Sequence, residues 1–376
     1  MTGEEHSAKK LTTAALITLI VLAMAGVVVL FVHMLRYSTQ TTIAPAADAA
    51  QTDTADAAAA AAAEQTPDVQ PEGTPDQTQT PEQTPDAEGP AQDAPSAPEE
   101  AGQTAEKTYA YAQETDETRT LDLELYSAHA VLIDAETNTV VYEKDPDAKI
   151  YPASMTKILT ALVACEQITD WNDTFRMTQA IIDPLFLADA TMAGFVDGED
   201  VPLLDLVYGA ILPSGAEATE GLARYVAGSE EAYAGLMNEK AQELGLTTAH
   251  FADASGLHNE EHYCTVRDMA VILQAALDNE TCRTILSTAR YTSSPTNKHP
   301  EGVEMYNKFL VRIESQELGG AAITAAKTGY TAQAGNCCAS YGTSPSGRAY
   351  ICVTADAGDS WYTVADHVAL YGQYAP

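Results

Sequence analysis

Ser154 and Lys157 lie three residues apart in "YPASMTKILTALVACEQ", residues 151–167. After the proline the stretch reads as an amphipathic helix with Ile158, Leu159, Leu162 and Val163 as apolar positions. Three residues is close to one helical turn, so the hydroxyl and the amine share a face. A serine hydroxyl is a poor nucleophile at neutral pH and needs a base beside it. Lysine is such a base when desolvation or a neighbouring cation lowers its pKa. At a helix start, free N–H groups and the positive end of the dipole also favour an oxyanion. The pair therefore has the parts for acyl transfer. Its plainer reading is a capping serine with a lysine that snorkels to water.

Spacing alone does not decide between them. Ser-x-x-Lys arises about once or twice by chance in a chain of this length, and Ser7 to Lys10 is a second instance. Two further stretches carry the chemical reading. "LPSGAEAT" (212–219) places Ser214 in a turn ahead of a helix, 60 residues after Ser154. "AKTGYT" (326–331) places Lys327, Thr328 and Gly329 in a β-rich run, 113 residues after Ser214.

The elements that must position these residues follow an order. "SAHAVLIDAETNTVVYEKD" (127–145) has two β-rich runs around Glu136-Thr137-Asn138 and reads as a hairpin. After the opening helix, residues 201–212, 217–228, 229–246 and 265–277 are helix candidates. Ser229 is a plausible N-cap, and Thr265 with Asp268 has the spacing of a capping box. Strand-like runs return at 308–315, 321–330, 335–342 and 348–356, and a final helix is expected over about 360–372. Strands at both ends with helices between predict one α/β domain with a helical lobe inserted in the middle. A cleft between sheet and lobe is then the natural site.

With these motifs in order, the sequence resembles the serine D-alanyl-D-alanine carboxypeptidases (peptidase family S11 type), low-molecular-weight penicillin-binding proteins related to the serine β-lactamases. "VVYEKDPDAKIYPASMTK", "DGEDVPLLDLVYGAILPSG" and "HFADASGLHNEEHYCTVRDMA" extend the resemblance, which covers about 120–376. It implies a β-lactamase/transpeptidase-like α/β domain, an antiparallel sheet flanked by helices. It implies Ser154 as nucleophile, Lys157 as the base that activates it, and Ser214 as a proton relay. Lys327 would keep positive charge in the cleft, with the two lysines converging on one serine. Thr328 and its strand, with Gly329 and Tyr330, would bind substrate, meeting its terminal carboxylate or backbone. The N–H groups of Ser154 and Tyr330 would form the oxyanion hole. The substrates implied are peptidoglycan stem peptides ending in D-Ala-D-Ala, with β-lactams as covalent inhibitors and no cofactor.

Two departures stand out. The family's second motif is usually Ser-x-Asn, but here it is Ser214-Gly215-Ala216, and Ala216 has no side-chain donor or acceptor. Losing one positioning hydrogen bond costs about 1–3 kcal/mol, which slows catalysis without abolishing it. Glu217 is adjacent, but on a helix it is expected to face solvent. No arginine follows Arg348 to help hold a substrate carboxylate.

The rest of the chain is uneven. Residues 11–35 are nearly all apolar, and about 25 residues at about 1.5 Å each suffice to cross a bilayer. Lys9 and Lys10 precede the span and Arg36 follows it. A signal anchor is expected, with residues 1–10 cytoplasmic and everything after the span outside the cell. Residues 36–118 are rich in Ala, Thr, Gln, Pro, Asp and Glu with recurring "TPD" and "TPE" units, and read as a disordered acidic tether. Residues 119–376 form the catalytic domain. It holds 35 Asp and Glu against 15 Lys and Arg, a net of 15 − 35 = −20, which argues against nucleic-acid binding. The chain ends soon after its last predicted helix, so no extra C-terminal β-domain or amphipathic anchor is expected.

All six cysteines lie in this domain, without metal-ligand spacing, and are expected to be buried thiols. His258 and His262 sit in a loop, where packing is expected rather than a metal. A β-lactamase of class A type would need a Glu-x-x-Leu-Asn-like stretch between Ser214 and Lys327, and none is present. A non-catalytic penicillin-sensing or wall-binding relative is the other reading, favoured by Ala216 alone.

Overall fold

The computed structural model describes residues 108–120 and 123–375. The expected anchor at 11–35 and most of the expected linker fall outside these residues. No helix among the described residues is long and apolar enough to cross a membrane.

The domain begins with β1 (Arg119–Thr120) and then the expected hairpin, β2 (His129–Asp134) and β3 (Thr139–Lys144). Its turn is built by Asp134, whose side chain accepts from the N–H of Glu136 at 3.0 Å and Thr137 at 3.1 Å. A single 3-10 turn, Ala153–Thr156, then leads into α1 (Lys157–Gln167). The lobe follows: β4 (Thr174–Arg176), α2 (Gln179–Leu187), β5 (Asp200–Pro202), α3 (Leu203–Ile211), α4 (Ala216–Ala227) and α5 (Glu230–Glu243). Next come α6 (Val266–Asp278), α7 (Glu280–Leu286), the pair β6 (Arg290–Thr292) and β7 (Glu304–Tyr306), and the short α8 (Leu310–Ile313). The chain returns to the sheet as β8 (Ala322–Thr331), β9 (Gly335–Thr343) and β10 (Ala349–Ala357), and closes with α9 (Ser360–Tyr374). Ser229 caps α5, and Thr265 and Asp268 form a complete capping box on α6.

The main sheet has the order β1-β3-β2-β10-β9-β8. Its N-terminal and C-terminal halves therefore meet at the β2–β10 pair, with Val131 opposite Val353. The expected antiparallel sheet needs one correction. β1 runs parallel to β3, so the sheet is mixed, although its other pairs are antiparallel. Alternate residues feed two cores. Val131, Ile133, Ile351 and Val353 join the large core shared with α1 and α6. Ala130, Leu132, Tyr350 and Cys352 join a smaller core under α9, with Phe309 and Tyr371. β2 and β10 are covered on both faces and so are buried along nearly their whole length. β8 is left at the sheet edge, facing the 3-10 turn and the start of α1.

Two further sequence expectations are corrected. Residues 308–315 are not a strand. Asn307 accepts from the N–H groups of Phe309 and Leu310, both at 3.1 Å, and starts the helical turn of α8. A short apolar run cannot distinguish strand from helix by periodicity, and here the capping asparagine decides. Residues 108–118, counted with the linker, also lie on the domain. The N–H of Gln113 donates to Asn138 O at 3.0 Å and its carbonyl accepts from Val140 at 2.9 Å. Backbone pairing needs no apolar side chains, so composition could not reveal it. All six cysteines are free, and five are buried.

Asp268 ties this early segment to the core. Its carboxylate accepts from Tyr111 Oη at 2.5 Å, Thr248 Oγ1 at 2.8 Å and the Thr265 N–H at 2.7 Å. Asp268→Ala is expected to destabilise the domain by about 2–4 kcal/mol, because several buried donors lose their acceptor together. Urea unfolding monitored by circular dichroism checks this, and a loss below about 0.5 kcal/mol would refute the account.

Candidate active site

The nucleophile candidate is set by a local strain. Ala153 adopts φ +48, an uncommon value for a residue with a side chain. This turns the chain so that Ser154, half-buried, opens onto the cleft between β8 and the lobe. Gly256 makes room for it: its φ is +77, and a Cβ there would lie 1.9 Å from Ala153 O. Gly329 does the same from the sheet. A Cβ on it would lie 2.7 Å from Pro152 O and 3.1 Å from Ser154 N. Glycine thus lets the edge strand lie directly against the backbone of the serine.

Lys157 Nζ donates to Ser154 Oγ at 3.1 Å and to Ser255 O at 2.5 Å. Its side chain is only 2% exposed. Burial is the main cause that brings its pKa down to about 8, and Lys308 pushes the same way while Asp253 opposes. The Ser255 carbonyl is held in place by Asp253, which accepts from Ser255 N at 2.8 Å, Ser255 Oγ at 2.8 Å and Gly256 N at 2.6 Å. Burial alone would raise the Asp253 pKa, but His262 and these donors hold it down to about 2. His262 is buried, with Nε2 2.7 Å from Thr156 Oγ1. His258 packs edge-on against Tyr151. Among the described residues there is no cluster suited to a metal.

The second pair comes from distant segments. Lys327, on β8, donates to Ser214 Oγ at 2.9 Å and to Thr328 O at 2.8 Å. Ser214 has φ +74, held by the bonds Gly215 N–H to Gly209 O and Ala216 N–H to Thr191 O, each 2.8 Å. The expectation that both lysines converge on one serine is corrected: each lysine has a serine of its own. Burial, and then Lys157, hold the Lys327 pKa well below the usual lysine value. Thr328, Gly329 and Tyr330 line the cleft with Ser154 and Ser214, and Tyr330 is exposed.

Sequence reasoning misplaced Glu217. It is fully buried, and Oε1 accepts from the N–H groups of Ala193 at 2.7 Å, Gly194 at 2.8 Å and Phe195 at 3.3 Å. Burial raises its pKa against those bonds, and Oε2 has no hydrogen-bond partner. The carboxyl thus ties the Ser214 turn to the loop that carries Thr191 into the cleft. No helical periodicity would have found it, since its partners belong to a separate loop. Lys308, Arg312, Asn336 and Thr363 also line the cleft, whose volume is about 260 Å³.

The family model for D-alanyl-D-alanine carboxypeptidases (peptidase S11) matches residues 113–358, and the chain belongs to this family. D-alanyl-D-alanine carboxypeptidase DacF of Bacillus subtilis is 31% identical over 231 residues, covering 59% of this chain and 55% of the relative. The D-alanyl-D-alanine carboxypeptidase of Streptomyces sp. strain K15 is 34% identical over 170 residues, covering 43% of this chain and 58% of the relative. The matches thus span somewhat over half the length of each of these two relatives. The solved structure of the Streptomyces K15 DD-transpeptidase superposes with a TM-score of 0.60 at 26% identity, covering 66% of this chain and 98% of that one.

Two outcomes are expected for acylation and one for stability. Acylation of Ser154 should rise with pH through about 8, as Lys157 loses its proton and becomes a base. Lys157→Ala should lower it by about 10²–10⁴. Stopped-flow acylation across pH 6–10 checks both, and a rate independent of pH would refute the role of the lysine. Glu217→Ala should cost about 2–4 kcal/mol in unfolding free energy, with Glu217→Gln costing less than half as much, because the amide oxygen still accepts.

Proposed function

We propose that this chain is a serine-type D-Ala-D-Ala carboxypeptidase that removes the terminal D-alanine from peptidoglycan stem peptides. The observation that carries this reading is Ser154 Oγ within 3.1 Å of Lys157, a buried amine with a depressed pKa, at the floor of an open cleft. Neutral Lys157 takes the Ser154 proton as Oγ attacks the carbonyl between the two D-alanines. The N–H groups of Ser154 and Tyr330 hold the oxyanion. Ser214, fixed by Lys327, passes a proton to the departing D-alanine amine. The acyl-enzyme then yields to water. A β-lactam acylates the same oxygen. The missing amide at Ala216 weakens positioning but removes no proton-transfer group.

Edge strand β8 supports an extended substrate. Thr328 to Tyr330 offer it backbone groups in the manner of an added strand. The apolar stretch at 11–35, with Lys9 and Lys10 before it, supports a membrane anchor and an extracytoplasmic domain. The similarity to a protein named a DD-transpeptidase favours a second outcome for the same acyl-enzyme, transfer to an amine instead of water.

A peptide ending in Lys-D-Ala-D-Ala should release D-alanine, and Ser154→Ala should abolish release. A folded wild-type domain that releases none, and whose Ser154 a penicillin still acylates, would move the reading to a penicillin-sensing relative.

A further inference from the structure

The cleft contains two cations that the sequence motifs do not include. Lys308 and Arg312 are four residues apart, a spacing that places both on one side of the α8 turn. The opposite side, Phe309, Leu310 and Ile313, is buried in the core under α9. Both cations are half-buried and line the same cleft as Ser154, Ser214 and Thr328. Neither makes an ion pair with a carboxylate among the described residues, although the domain from 119 onward holds 35 acidic side chains against 15 basic ones. Burial, and then the Arg312 cation, lower the Lys308 pKa, and Lys308 in turn acts on the amines of Lys157 and Lys327. Two like charges held together in a partly desolvated wall are unfavourable unless an anion joins them.

Their placement is built, not incidental. Asn307, which starts the α8 turn, also donates from Nδ2 to Ala326 O at 2.9 Å. Ala326 immediately precedes Lys327, so the cationic segment is fastened to the strand that holds Thr328. Arg312 Cζ lies 5.9 Å from the Trp361 ring centroid, which braces the guanidinium against the start of α9. Lys327 is a poor candidate for the same duty. It is 1% exposed, its Nζ is engaged by Ser214 and Thr328 O, and it does not line the cleft.

We propose that Lys308 and Arg312, with Thr328, hold the free C-terminal carboxylate of the substrate, taking the place of the arginine absent after Arg348. This rests on the carboxypeptidase reading and deepens it: Lys308 and Arg312 make the enzyme an exopeptidase by requiring a terminal anion. Lys327 is left to hold Ser214.

The test compares a carboxylate with its neutral counterpart on the same protein. Release from a peptide ending in D-Ala-D-Ala is measured beside release from the same peptide with a C-terminal amide, for wild type, Lys308→Gln, Arg312→Gln and Arg312→Lys. Each glutamine variant should reduce the acid-over-amide ratio of kcat/KM about tenfold or more, through KM, and Arg312→Lys should restore part of it. The same ratio is read independently of turnover from Ser154 acylation by benzylpenicillin and by its methyl ester, followed by intact mass. An unchanged ratio in both assays, or an equal fall for acid and neutral compounds, would overturn the assignment. Wild-type D-alanine release reports separately on the carboxypeptidase reading, so a failure of one is not mistaken for a failure of the other.

Discussion

A lysine kept almost entirely from water is the costly feature around which this site is arranged. Charging an amine in that position is penalised by burial, which brings the Lys157 pKa down to about 8 for as long as its surroundings stay dry. Three elements meet that demand. The first turn of α1 carries the amine, the 253–256 loop supplies the Ser255 carbonyl, and Gly329 of β8 closes the sheet side. Thr160 Oγ1 donates to Ala254 O at 2.7 Å and so fixes the loop to α1. The glycines at 256 and 329 are then requirements of contact distance, since any side chain would push the walls apart.

The same logic explains why polar groups beneath the cleft are buried so often. Asp268 gathers donors from three segments, Glu217 three consecutive amides of the 193–195 loop, and Asp253 the donors of Ser255 and Gly256 in its own loop. Buried carboxylates of this kind fix geometry more than they add stability, because desolvation offsets much of their attraction. Here the geometry they fix is the position of Ser255, of the Ser214 turn and of the α6 start.

How much of this was legible in sequence followed the range of the interaction. Ser154 and Lys157 are one turn apart, so their contact could be read from spacing. The capping box at Thr265 and the hairpin at 129–144 were legible for the same reason. The Ser214–Lys327 contact spans 113 residues and was not foreseen: resemblance placed both residues in the cleft but had the two lysines converge on one serine. Glu217 was misread because an acidic residue in a first helical turn ordinarily faces water, and its burial depends on loop amides 22–24 positions away. Residues 308–315 were misread because a short apolar run fits a strand equally well until Asn307 is seen to accept from the N–H groups of Phe309 and Leu310. Segment 108–118 was missed because main-chain pairing leaves no trace in composition.

The two serine–lysine pairs differ in how they are held, and this sets the order in which competence is lost as the molecule opens. Ser154 and Lys157 belong to one continuous turn and move together. Ser214 belongs to the lobe and Lys327 to the sheet edge, so their bond exists only while lobe and sheet stay closed. A partly opened molecule therefore keeps Ser154 beside Lys157 but loses the contact between Ser214 and Lys327. The second pair thus reports on the contact between lobe and sheet, whereas the first reports on the start of α1 alone.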